Sequence, residues 1–320
     1  MSPPRRALIV SLDNLGDLAF AGALAAPLAE VGWEVSLWCK DYAAALAPFI
    51  PGVSRVYASD PFWDRAPGRA RGGAFRFLST LAEVRRERCD AALLPNTRRN
   101  PALAARLAGA SRRVGFDQRG ARRWLTDALP PEDRGAPVVA QWARLLAPLG
   151  ANPARAALRL RAPQAMASRR TELAARLGEG AVAVHPFAGD ARRCAPPEFW
   201  REFLRRAGAR RAFVFGEAAQ ARAFAAGLSG VEALTAQSIG AAGLGESLLA
   251  LSACAAFAGH DSGPLHCALG LGVPALGLYL PGDWPRASPQ GEGPWRALRR
   301  ERPADADPAE AAALLGQLRR

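Results

Sequence analysis

The chain has 320 residues, half of them hydrophobic, enough for two domains of ordinary size with a core each. Its formal charge is +13, carried almost wholly by arginine, with Lys40 the only lysine. The five cysteines are odd in number and none stands in a Cys-x-x-Cys pair, which argues for reduced thiols and against a disulfide scaffold or a zinc site.

The basic balance favours acidic partners: phosphates, anionic sugars or a membrane surface. A solvated basic face accounts for it equally well. No secretory signal is expected, because the apolar run at 7–12 is short and Asp13 interrupts it. The uncharged stretch 262–282 is long enough to cross a bilayer. Its prolines, its glycines and His266 instead favour a helix, a loop and a strand.

In chain order, the first half predicts strands over 7–12, 35–38, 55–58, 91–94 and 113–116. Helices are expected between them over 18–31, 42–49, 75–88 and 101–108, with an arginine- and glycine-rich loop at 64–73 and another loop at 133–137. After a helical stretch over 141–149, a boundary falls within 150–163. The second half repeats the alternation, with strands over 181–185, 211–215, 231–233, 255–258, 274–280 and 297–299. Its helices are predicted over 197–207, 218–228, 247–253 and 265–271. Strand–helix alternation predicts parallel sheets covered on both faces. The expected fold class is therefore α/β, with two Rossmann-like domains, 1–155 and 156–320, facing a central cleft.

Three segments could carry chemistry. Ser11-Leu12-Asp13-Asn14-Leu15-Gly16-Asp17 follows the first strand and opens a helix. It lies where open α/β sheets bind ligands, and Asp17 is there either a functional carboxylate or a helix cap. His185-Pro-Phe-Ala-Gly-Asp-Ala-Arg192-Arg193 follows another strand, and its paired arginines match phosphate geometry. Asp261-Ser262-Gly263-Pro264-Leu265-His266 ends a strand and starts a helix. Ser262 suits an N-cap and Pro264 the first turn. Gly263 bares backbone N–H groups that, with the helix dipole, attract phosphate. Glu217 and Gln220 end a further strand, where they could meet a ribose or base. No GxxxxGK[ST], no well-placed GxGxxG, no GxSxG and no HExxH is present. Asp305-Ala306-Asp307 precedes a helical run and reads as a cap rather than a metal site.

Together these segments resemble glycosyltransferase family 9, the ADP-heptose:lipopolysaccharide heptosyltransferases. The opening Ala-Leu-Ile-Val-Ser-Leu-Asp-Asn-Leu-Gly-Asp looks like that family's strand and Leu-Gly-Asp turn. His185-Pro186 with Arg193 and Pro196-Pro197-Glu198 looks like its His-Pro … Lys-Arg-Trp-Pro-Pro-Glu segment. Asp261-Ser-Gly-Pro-Leu-His266 looks like its Asp-Thr-Gly-Pro-x-His signature. Residues 90–116 and 279–286 fit in order. The chain departs from the pattern at Asp13-Asn14 (usually Ser-Ser), at Arg193 (usually lysine), at Cys194-Ala195 (usually Arg-Trp) and at His260 (usually asparagine).

The resemblance implies the GT-B architecture and an inverting, metal-free transfer with no cofactor. A heptose or related sugar would pass from an ADP-sugar to a hydroxyl of a lipopolysaccharide-core or similar acidic glycan. Asp17 would be the general base. Arg192, Arg193, Glu217, Gln220, Asp261, Ser262, Gly263, Pro264 and His266 would form the donor site. Asp13, Asn14, Arg65, Arg69, Arg98, Arg99, Arg119 and Arg122 would serve an acidic acceptor. A cytoplasmic protein is expected, with peripheral contact at the inner membrane an option that its charge allows. The rival readings are a non-catalytic sugar-nucleotide binder on the same scaffold and, from charge alone, a nucleic-acid binder. Against the second, no aromatic–basic binding motif is present.

Overall fold

The computed structural model describes residues 4–64, 71–281 and 283–319. The chain divides into two compact units, Met1–Leu158 and Arg159–Arg320. The first holds β1 (Arg5–Ser11), α1 (Leu15–Gly22), α2 (Ala25–Glu30), β2 (Trp33–Cys39) and β3 (Val53–Ala58). It continues with α3 (Ala74–Glu87), β4 (Ala91–Leu94), α4 (Arg99–Leu107), β5 (Arg112–Phe116), β6 (Asp127–Leu129) and α5 (Val138–Ala143). The second unit opens with α6 (Ala167–Leu177), β7 (Val182–His185), α7 (Pro197–Arg206), β8 (Arg211–Val214), α8 (Ala218–Ala226) and β9 (Glu232–Thr235). It closes with α9 (Gly243–Leu251), β10 (Ala256–His260), α10 (Gly263–Gly270), β11 (Ala275–Tyr279), β12 (Trp295–Arg299) and α11 (Pro308–Leu318).

Each unit is built on a six-stranded parallel sheet. The strand orders are β3-β2-β1-β4-β5-β6 and β12-β11-β10-β7-β8-β9. Helices cover the faces, so the central strands are near-continuous apolar runs: Ala7 to Val10 in β1 and Ala256 to Ala258 in β10 are buried throughout. The helices answer with apolar stripes. In α7, Phe199, Trp200, Phe203 and Leu204 are buried at helical spacing, behind a Pro197 that costs nothing in the first turn.

Two local expectations were overturned and two elements went unread. The helix expected over 18–31 is two helices, because Pro27 has no N–H to give the Ala23 carbonyl and its ring crowds the preceding turn. The stretch Asp41–Phe49 winds as a 3₁₀ helix, with Pro48 near its end. Strand β6 went unread because three residues are too few to show an alternation. Helix α6 went unread because it buries only Leu173 and Leu177. The stretch 262–281 holds α10 followed by β11, with Pro264 to Gly270 and Ala275 to Tyr279 buried as core. Among the described residues no helix is long and apolar enough to cross a membrane.

Phe203 is fully buried, stacked on Phe199 and edge-on to Trp200. Phe203→Ala is expected to cost about 3–5 kcal/mol of stability. The shift of the denaturant midpoint measures this, and a cost below about 1 kcal/mol would show that the core closes over the gap.

Candidate functional site

Both sheets reverse their strand order at the centre. In the first, β1 leads outward to β2 and β3, while its neighbour β4 leads the other way to β5 and β6. In the second, β7 leads to β8 and β9, while β10 leads to β11 and β12. Loops leaving such neighbours diverge and leave a crevice at the carboxyl edge. In each unit the chemistry-bearing residues collect there.

In the first unit, the turn after β1 carries Asp13 and Asp17. Asn14 occupies the N-cap position of α1 without a side-chain cap, and the Tyr42 hydroxyl accepts the Leu15 N–H at 2.9 Å instead. Asp17 lies in the first turn of the helix and is half-buried. Asp13 is only 8% exposed, and its Oδ1 lies 3.5 Å from Arg98 Nη2 at the N-cap of α4. Beside it the buried Lys40, at the end of β2, pairs with Asp64 at 2.9 Å. Asp13, Asp64, Arg98, Arg99, Arg119 and Trp63 line a cavity of about 470 Å³. Burial, then the charge of Asp17, pushes the Asp13 carboxyl up to about 7; Arg98 and Lys40 oppose the rise and Asp64 adds to it. Arg119 bonds Asn96 Oδ1 at 2.7 Å from a backbone with φ of 51°.

In the second unit, Asp261 sits under the start of α10. Its Oδ2 accepts from Arg193 Nη2 at 2.7 Å and from the Asp283 N–H at 3.1 Å, and His266 Nε2 lies 3.6 Å from Oδ1. Burial raises its carboxyl, but His266, the Asp283 N–H and Arg193 outweigh that and hold it below the usual carboxylate range. Arg193 also reaches the Pro281 carbonyl through Nε at 2.9 Å. It thus ties the loop after β7 to the loops after β10 and β11. Ser262 takes the N-cap position of α10, yet its hydroxyl bonds the His260 carbonyl at 3.0 Å, so the first turn carries no side-chain cap. His260 is buried, and its Nε2 accepts the Ala195 N–H at 2.8 Å. Burial and the neighbouring His185 push its pKa down to about 3, so it stays neutral and can keep accepting that bond.

The structure brings some expected residues together and separates others. Asp261, Ser262, Gly263, Pro264 and Arg193 form one cluster. His266 is buried beneath it, with Nε2 beside Asp261 Oδ1. The arginine pair is not one clamp: Arg192 is 89% exposed and held by Asp190 at 2.7 Å, whereas Arg193 turns to Asp261. Glu217 and Gln220 stand exposed at the start of α8, on the same sheet edge. In the first unit, Asp13, Arg98, Arg99 and Arg119 share a cavity, but Arg122 pairs with Asp117 at 3.5 Å and does not line it. Arg65 and Arg69 lie outside the described residues. Asp307 accepts the Ala309 N–H at 2.8 Å, so the Asp-x-Asp is a helix cap. Sequence reasoning missed Lys40, Tyr42, Trp63 and Asp64. Only Lys40 carried a signal, as the single lysine in an arginine-rich chain.

The folded pKa of Asp13, about 7, exceeds its unfolded value of about 3.9. The folded state therefore binds the extra proton. The stability this contributes is whole below the unfolded value and is lost as pH rises through the folded one. Asp13→Asn has no such charge to develop. Its melting temperature relative to the native chain is expected to be higher above pH 7 than near pH 5. An equal difference at both would show that Asp13 titrates normally.

The sequence profile of glycosyltransferase family 9 (heptosyltransferase) matches residues 78–299. No curated protein matches the chain by sequence. Among solved structures, E. coli ADP-heptose lps heptosyltransferase II superposes with a TM-score of 0.79 at 16% identity, over 98% of each chain. E. coli heptosyltransferase WaaC with ADP gives 0.75 at 18% identity, over 98% of this chain and 99% of that one. The glycosyl transferase family 9 protein of Veillonella parvula DSM 2008 gives 0.74 at 16%, over 92% and 86%. These likenesses show the fold, two parallel six-stranded sheets as in those GT-B-like heptosyltransferase structures. The profile spans well over half of the chain and takes in the β4–α4 turn and the whole Arg193–Asp261 cluster, so the protein belongs to glycosyltransferase family 9, the heptosyltransferases, and is a glycosyltransferase.

Proposed function

We propose that the protein transfers a heptose or closely related sugar from an ADP-sugar to a hydroxyl of an anionic, lipopolysaccharide-core-type glycan, with inversion and without a metal ion. The second unit binds the donor and the first the acceptor. The observation that carries this reading is the uncapped first turn of α10 at the centre of the second sheet, with Asp261 beneath it already neutralised by Arg193. Backbone N–H groups and the positive end of a helix dipole favour a diphosphate. An ionised Asp261 without its arginine would repel one. Arg193 uses Nε and Nη2 on Pro281 and Asp261; Nη1 makes neither bond and is the edge that would meet phosphate. The similar fold of E. coli WaaC, a heptosyltransferase solved with ADP, supports the choice of nucleotide.

In the first unit, Arg98 and Arg99 stand at the N-cap and first position of α4, where the helix dipole disfavours cations. Positive charge kept at that end, beside Arg119 in the same cavity, suits an acceptor bearing carboxylates or phosphates. Asp17 removes the proton of the acceptor hydroxyl as its oxygen attacks the anomeric carbon from the face opposite the leaving group. The bond to the diphosphate oxygen breaks as the new glycosidic bond forms. The α10 N–H groups and Arg193 stabilise the charge that grows on the departing ADP. The net positive charge suits work at the cytoplasmic face of a membrane that presents such acceptors.

Two measurements test this. ADP should raise the melting temperature in the presence of a chelator, because binding to the folded state alone stabilises it. Gly263→Val should abolish most of that rise by crowding the half-exposed helix start. A strict need for magnesium or manganese would overturn the metal-free reading, and an unchanged ADP response in folded Gly263→Val would move the phosphate elsewhere.

Asp17→Asn should lower single-turnover transfer by about 10²-fold or more while leaving ADP affinity and melting temperature nearly unchanged. Near-normal turnover with a lowered melting temperature would make Asp17 a structural residue of α1.

A further inference from the structure

The strand-to-helix turn after β1 carries two carboxylates four residues apart, and only Asp17 has a place in the reaction proposed above. Asp13 needs its own account. It is 8% exposed, in a turn otherwise open to a cavity, and a carboxylate is costly there unless it is paired or protonated. Its neighbours come from every element around it: Asp17 from α1, Arg98 from the start of α4, Lys40 from the end of β2 and Asp64 from the loop after β3. The Lys40 ammonium is already matched by Asp64 at 2.9 Å. Among the described residues Arg98 is the cation within salt-bridge reach of Asp13, at 3.5 Å, and its side chain is 49% exposed and lines the cavity. The counter-ion of Asp13 is therefore also a group that an incoming anion would engage.

We propose that Asp13 and Asp17 share one titrating proton whose main seat is Asp13, and that an anion binding in the Arg98–Arg99–Arg119 cavity draws Arg98 away and so favours proton uptake at Asp13, leaving Asp17 ionised. Asp13 then acts through Asp17, as a positioning residue. With Arg98 at its side, ionised Asp13 is stabilised. With Arg98 turned to a bound carboxylate, sulfate or phosphate, the ionised form loses its partner while keeping the repulsion of Asp17, and takes a proton from solvent. Anion binding and proton uptake are thus linked, and each promotes the other. In the proposed reaction a seated anionic acceptor thus increases the fraction of molecules in which Asp17 is ionised and ready to receive the hydroxyl proton. The inference rests on that reading for its purpose, but the shared proton can be measured without it.

The test is carbon-13 NMR of the full chain labelled at the aspartate carboxyls, titrated with pH, with sulfate as the probe anion because it does not itself titrate near neutrality. Asp13→Asn assigns the signal, and Asp13→Ser is the second assigning variant if the first does not fold. The Asp13 midpoint should lie near 7 and not at the ordinary carboxylate value of about 3.9. Asp17→Asn should lower it by about one unit or more, by removing the neighbouring charge. Excess sulfate should raise it, Arg98→Gln should raise it without sulfate, and sulfate should then have no further effect. A midpoint in the ordinary range, or one indifferent to Asp17→Asn, overturns the shared proton. A midpoint indifferent to sulfate in the native chain overturns the link to anion binding. The transfer rate of Asp17→Asn is a separate readout. If it stays normal, the base assignment falls while the titration still decides the proton.

Discussion

A parallel sheet has one edge at which every strand ends, and where the strand order reverses the loops above that edge must part. This constraint acts twice in the chain, between β1 and β4 and between β7 and β10. The two halves share little local sequence, yet both collect their charged and glycine-containing turns at that point. On one side these are Asp13, Asp17 and Arg98; on the other, Arg193, Asp261 and Gly263. The rest of each unit serves the sheet. Buried apolar strands such as Ala7 to Val10, and stripes such as Phe199 to Leu204, hold the sheet so that its carboxyl edge keeps its shape.

On the proposed reading the two sites solve opposite electrostatic problems. A diphosphate site must not present an anion, but the turn that opens α10 needs Asp261 to hold the Asp283 N–H and His266. Arg193 resolves this by pairing with Asp261 at 2.7 Å while it ties in Pro281. Arginine suits the task better than lysine, since a planar fork can satisfy a carboxylate, a carbonyl and a further oxygen at once. His260, where the family usually has asparagine, keeps an acceptor for the Ala195 N–H and so anchors the loop that carries Arg193. In the first unit, on the proposed reading, the carboxylates themselves are the working groups. There burial and mutual repulsion raise Asp13, and cations spaced around the cavity limit the rise.

The organisation of the chain was legible in its sequence. Alternating apolar runs and helical stretches gave parallel sheets in two units. Asp261-Ser-Gly-Pro marked the end of β10 and the start of α10, because strand-end, N-cap and proline preferences are local and act within a few residues. Local chemistry also misled. Ser262 has the residue type and position of a cap, but its hydroxyl turns to His260. Arg192 and Arg193 are neighbours in sequence and have different partners in space.

The sequence by itself determined which elements form and which turns fall at the carboxyl edges, since hydrophobic period and turn chemistry are properties of short segments. Only the tertiary structure decided what each charge faces. Arg193 meets Asp261 across 68 residues, and Asp13 shares its surroundings with Arg98, Lys40 and Asp64, which arrive from three other segments. Strand order sets those meetings. Strand order follows from how whole sheets bury their faces, so no window of neighbouring residues contains it. The ionisation of Asp13 belongs to the same class, because burial and the charges of distant segments set it.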